Sequence, residues 1–162
     1  IFNTFNPSVY QSRNQPVPAK DAYAKKDLQD WARYSGIKIH WPLSIFPINS
    51  VKAMRGCIAA DRQKKLVPYA SGVFEAYWGQ DKDITKDELL AEIAAASGLD
   101  PVKMHTSIGS DEVKAELKAN GADLARRGGY GSPTFFLGGH DMYFGNDRIP
   151  LVHSALRAIL TA

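Results

Sequence analysis

Cysteine is almost missing from this chain: Cys57 stands alone among 162 residues. A single thiol excludes an internal disulfide, a cysteine-built zinc cluster and the Cys-x-x-Cys pair of a self-contained dithiol catalyst. Cys57 also sits in a helical pattern, Asn49 to Ala60, where a lone cysteine reads as a small buried hydrophobe rather than a nucleophile. The 4 histidines, His40, His105, His140 and His153, are far apart and lack ligand spacing, so no metal site is expected. Long apolar runs are missing too, and no charged, apolar and cleavable leader opens the sequence, which argues against a membrane span and for a cytoplasmic protein. A net charge of +3 with basic pairs scattered at Lys25-Lys26, Lys64-Lys65 and Arg126-Arg127 forms no stripe that would track nucleic acid, whereas small anions remain suitable ligands.

With 44% hydrophobic and 23% charged residues, the chain has the composition of an ordinary globular domain, alone or carrying an insertion. Residues 1–20 are rich in proline, asparagine and serine and read as a loop. Apolar residues at helical spacing follow over 21–35, with Gly36 as a stop, and prolines 42 and 47 make 37–47 a connecting loop. Further helices are expected over 50–61, over 66–78 with Pro68 in the first turn, and after a Thr85…Glu88 capping box that leads to Gly98. A short helical turn is expected over 101–106. Ser110 or Asp111 then caps a helix that continues through Asn120-Gly121.

The period changes after that helix. Thr134-Phe135-Phe136-Leu137 and Met142-Tyr143-Phe144, joined through Gly138-Gly139-His140-Asp141, read as a β-hairpin. A closing helix covers 149–160, with Asn146 or Asp147 available as its cap. Pro133 stands at the mouth of the first strand, where it removes a ladder donor. X-Pro is also the bond at which a cis form is accessible, and a cis Ser132-Pro133 would turn the Ser132 main chain toward an extended ligand.

A proline-initiated strand, an antiparallel partner and a closing helix behind a helical block make up the C-terminal half of a thioredoxin-like α/β fold. The ordered set Asn14-Gln15-Pro16, Pro18-Ala19-Lys20, Trp31-Ala32-Arg33-Tyr34, Phe46-Pro47-Ile48-Asn49-Ser50, Gly131-Ser132-Pro133-Thr134-Phe135-Phe136 and Phe144-Gly145-Asn146-Asp147-Arg148 resembles one branch of it. That branch is the 2-hydroxychromene-2-carboxylate isomerase and kappa-class glutathione transferase family, related to the disulfide oxidoreductase DsbA. The resemblance implies a loop over 1–20, a helical insertion domain over 21–108 and the second half of the thioredoxin part over 109–162. It also implies that the family's first strand and helix precede the point matching Ile1, a βαβ portion of roughly 30 or more residues. The chain is therefore expected to be N-terminally incomplete, and its hairpin to leave an unpaired edge.

The resemblance further implies glutathione as cofactor. Ser132, next to a cis Pro133, would pair through its main chain with the cysteinyl part, and Asp147 with Arg148 would read the γ-glutamyl end. Asn14 and Lys20 would contact the tripeptide from the loop and helix start, and Asn49 and Trp78 would line a pocket for the second substrate. The family's thiolate-stabilising serine lies in a Ser-Pro-Tyr-like motif that has no equivalent here, so no catalytic residue is assigned. The implied activity is glutathione-dependent isomerisation of 2-hydroxychromene-2-carboxylate by a likewise implied homodimer. Kappa-type conjugation to an electrophile, a DsbA-like oxidoreductase disfavoured by the single cysteine, and a non-catalytic binding fragment are the competing readings.

Overall fold

The computed structural model describes residues 17–161. They group into two compact units, 17–117 and 118–161. Asn14 and most of the expected N-terminal loop lie outside the described residues.

The first unit is helical. Helix α1, Pro18–Ser35, starts three residues earlier than the apolar spacing suggests, because proline at the first helical position loses an N–H that has no intrahelical partner there. It ends where Gly36 N–H donates to the Arg33 carbonyl and Ile37 N–H to that of Ala32, a pair of bonds that uses two otherwise orphaned acceptors. After the loop come α2, Val51–Asp61, and α3, Leu66–Phe74. The expected helix over 66–78 does not keep one geometry: from Glu75 to Gly79 it widens into a π-helical turn.

Helix α4 is Asp87–Ala96, but the Thr85…Glu88 capping box expected at its start is not formed. Asp83 takes both the N–H and the hydroxyl of Thr85, at 3.0 and 2.6 Å, so the threonine side chain is spent before the helix begins. Helix α5 runs over Pro101–Gly109, longer than the turn expected, because Asp100 caps it by accepting from the N–H groups of Val102 and Lys103.

Small residues let these helices approach closely. Ala53, Gly56, Ala59 and Ala60 of α2 are buried in the same core as Tyr69 and Val73 of α3, Leu90 and Ile93 of α4, and Met104 of α5. Gly56 lies directly under the Tyr69 ring, where a Cβ would stand 2.2 Å from the phenol oxygen. Burial pushes the ionisation of Tyr69 well above the ordinary tyrosine range, so its role is packing. Burial likewise raises the Cys57 thiol, which keeps it protonated and agrees with a packing role.

The second unit holds the hairpin and the closing helix. Helix α6, Asp111–Arg126, is continuous through Asn120-Gly121, with the Ser110 hydroxyl oxygen accepting from Val113 N–H at 3.3 Å. Gly128, at φ +84°, ends it with a left-handed residue. Strands β1, Thr134–Leu137, and β2, Asp141–Phe144, pair antiparallel with Thr134 opposite Phe144 and Leu137 opposite Asp141. Arg127 secures the turn: its guanidinium lies 3.7 Å above the Phe136 ring and donates to the Gly139 carbonyl at 3.0 Å. Among the described residues the sheet has these two strands alone. A 3₁₀ turn, Asn146–Arg148, leads into α7, Ile149–Thr161. Neither Asn146 nor Asp147 stands before that turn as a cap, because both residues form part of it. No described helix is long and apolar enough to cross a membrane.

The Gly56 contact sets a stability test. Gly56→Ala should cost about 1–3 kcal/mol through overpacking, read as a fall of roughly 2–4 °C in Tm for each kcal/mol. Adding Tyr69→Phe, which removes the atom nearest the new methyl, should restore part of the loss. Thermal melts of the two single variants and the double variant check both steps.

Candidate functional site

In the hairpin unit, two of the expected motifs meet at the open end of the hairpin. The ladder ends at the pair Thr134 and Phe144, and the Gly145 N–H donates to the Pro133 carbonyl at 3.0 Å. Ser132-Pro133 on one strand and Asp147-Arg148 beyond the other therefore occupy the same end. The Ser132-Pro133 bond is cis. The segment is fixed from both sides: Thr134 Oγ1 donates to the Gly131 carbonyl at 2.6 Å, and Gly131 sits under Phe144, where a Cβ would be 2.5 Å from the ring. Tyr130 packs on the same ring, with centroids 4.6 Å apart.

Ser132 is exposed, and among the described residues neither its N–H nor its carbonyl has a backbone partner. A donor and an acceptor on one residue at a strand start can pair with an extended ligand as a further strand would. Asp147 and Arg148 are also exposed, and their side chains pair with each other. Gly145, at φ +99°, lies under this pair: a Cβ there would come within 2.6 Å of the Asp147 carboxylate. The exposed acid and base together offer complementary charges to the ammonium and carboxylate of an amino-acid end.

The helical unit carries the remaining expected residues apart from Asn14. Lys20 is exposed in the first turn of α1. Asn49 is spent on helix capping, its Oδ1 accepting from Val51 N–H at 3.1 Å. Trp78 lies in the π-helical turn and joins an aromatic cluster, with ring centroids 5.1 Å from Tyr77 and 6.3 Å from Phe46. Phe46 in turn stands 5.2 Å from Trp41. No cluster of candidate metal ligands occurs among the described residues.

Sequence reasoning missed the residue that holds this cluster's loop in place. Asp81, at φ +55°, accepts from Ser44 N–H at 2.8 Å and from the Ser44 hydroxyl at 2.5 Å. His40 Nε2 lies 3.6 Å from the same carboxylate, and His40 N–H donates to the Trp78 carbonyl at 2.6 Å. Tyr77 adds a bond from its hydroxyl to the Ile45 carbonyl. Asp81 thus sits between the serine and the histidine, so the three groups form a clamp and not a serine nucleophile activated by histidine. Nothing in Gly79-Gln80-Asp81-Lys82 signals this beyond a turn, because the partners lie 37 and 41 positions away.

Residues 4–157 match the DSBA-like thioredoxin domain family. The chain belongs to that family. It is similar to the 2-hydroxychromene-2-carboxylate isomerase of Pseudomonas putida, at 28% identity over 143 residues that span 88% of this chain and 68% of the relative. A solved structure of a 2-hydroxychromene-2-carboxylate isomerase superimposes with a TM-score of 0.79 at 24% identity, covering 96% of this chain and 78% of the other. A proposed protein disulfide isomerase from Nitrosomonas europaea gives 0.71 at 19% identity, covering 90% and 76%. Both likenesses establish the thioredoxin-like fold that the ordered motifs imply, and the two-stranded hairpin with its proline start is part of it.

The clamp has a defined pH dependence. The Ser44 hydroxyl and then its N–H, with His40 adding less, hold Asp81 below the usual carboxylate range. A carboxyl lowered in the folded state contributes stability above its unfolded value near about 3.9, and that contribution is lost as pH falls through the folded value. Acidification below about pH 4 should therefore loosen the 40–46 loop. Asp81→Asn should remove this part of the acid transition, as followed by the fluorescence of Trp41 and Trp78 against far-ultraviolet circular dichroism.

Proposed function

We propose that this chain is a glutathione-dependent isomerase acting on 2-hydroxychromene-2-carboxylate-like aromatic pyruvates. The single observation that carries the reading is the open end of the hairpin, where the Ser132 main chain and the Asp147-Arg148 pair face solvent together. The similarity to 2-hydroxychromene-2-carboxylate isomerases supports the same reading.

The exposed groups fit a tripeptide with a zwitterionic end. Ser132 would hold the cysteinyl unit through its N–H and carbonyl, Asp147 would accept from an ammonium, and Arg148 would donate to a carboxylate. Lys20 serves as a further cation for a carboxylate, as a point charge on a flexible stem. When bound, glutathione supplies a thiolate able to add reversibly to a conjugated ketone and so permit rotation about the former double bond. The residues of this chain bind and orient, and the Ser132 hydroxyl takes no part as nucleophile.

The test is incubation of the full chain with 2-hydroxychromene-2-carboxylate and glutathione, followed by ultraviolet absorption. Interconversion with trans-o-hydroxybenzylidenepyruvate and no loss of thiol is the expected result. Thiol consumption with a chlorinated nitroaromatic but no isomerisation would instead show a kappa-type transferase, and glutathione binding by calorimetry without turnover a binding module. Ser132→Ala should leave the rate within about threefold, because the main chain carries the contact. Asp147→Ala should raise the KM for glutathione by about tenfold or more, as expected for loss of a charge-assisted bond.

A further inference from the structure

The helical unit contains a groove that the hairpin residues do not form. Its volume is about 480 Å³, within the range of small-molecule sites. The apolar walls are Leu28 of α1, Ile37 and Ile39 of the following loop, Phe74 at the end of α3, and Trp78 in the π-helical turn. Phe74 is 64% exposed and Ile37 57%, a substantial apolar surface left open to water. Single-turn π-helices inside α-helices recur at functional sites, and here the widened turn carries both Glu75 and Trp78 into the groove wall.

Two charged side chains line the same groove, and they are not equivalent. Glu75 is drawn back along its own turn: its carboxylate lies over Gly79, where a Cβ would be 2.6 Å away, and it accepts the Gln80 amide at 3.3 Å. Lys38 also lines the groove and is exposed, and no carboxylate of the described residues pairs with it. An aromatic and aliphatic trough with one uncommitted ammonium suits a flat ring bearing a carboxylate, with the ring against Phe74 and Trp78 and the anion at Lys38. We infer that this groove is a binding site for an aromatic carboxylate, with Lys38 setting the preference for the charged ligand. The inference deepens the proposed isomerase reading, on which the identity of the natural ligand rests.

Binding is measured on the full chain with 2-naphthoate and with its uncharged counterpart 2-naphthylmethanol, by calorimetry and by the indole N–H resonance of Trp78. Saturable binding of 2-naphthoate with a shift at Trp78 is expected. Lys38→Met should weaken 2-naphthoate about tenfold and leave 2-naphthylmethanol unchanged. Phe74→Ser, at an exposed position, should weaken both. Absence of a Trp78 shift in the wild-type protein overturns the inference without recourse to any variant, and so does unchanged 2-naphthoate affinity in a folded Lys38→Met protein. Binding with this pattern but no isomerisation leaves the groove standing and removes the isomerase reading. Isomerisation with no such binding does the reverse.

Discussion

The Gly145 N–H, donating to the Pro133 carbonyl, holds the open end of the hairpin together. One strand arrives there through a cis proline and the other leaves through a left-handed glycine, so neither can continue a regular ladder. The bond joins the two departures. It fixes the exposed Ser132 main chain and the Asp147-Arg148 pair on one rigid support, with Phe144 packed over Gly131 as a second tie. A ligand that pairs with a backbone needs such support, since any ordering of the chain on binding subtracts from affinity.

The helical unit solves a different problem. Its core is closed by small residues, so α2 and α3 approach until Gly56 touches the Tyr69 ring. With the interior filled, aromatic surface remains at the π-helical turn and the proline-rich loop. Asp81 binds that loop through Ser44 and His40, and His40 also bonds to the Trp78 carbonyl. The open groove therefore has one wall set by a carboxylate clamp and not by burial.

Much of this architecture was legible in the sequence. The apolar spacing located every described helix, and the change of period at Thr134 located the hairpin. The ordered motifs led to the thioredoxin-like fold through the combination of Pro133 at a strand start and Asn146-Asp147-Arg148 after its partner. The errors were local competitions. Thr85 bonded to Asp83 instead of capping α4, and Asn146 and Asp147 entered a 3₁₀ turn instead of capping α7. A hydrogen-bonding side chain has several backbone and side-chain partners within reach, and spacing does not choose among them.

The sequence by itself determined the helical and strand segments, the proline at the ligand-facing strand and the exclusion of dithiol chemistry, because these follow from periodicity, from a missing N–H and from a single thiol. Tertiary structure decided which side chains are free to act. It spent Asn49 on a helix start, left the Ser132 main chain without a backbone partner among the described residues, and drew Glu75 back while Lys38 remained uncommitted at the groove. Those outcomes depend on contacts between residues distant in the chain, which no local pattern encodes.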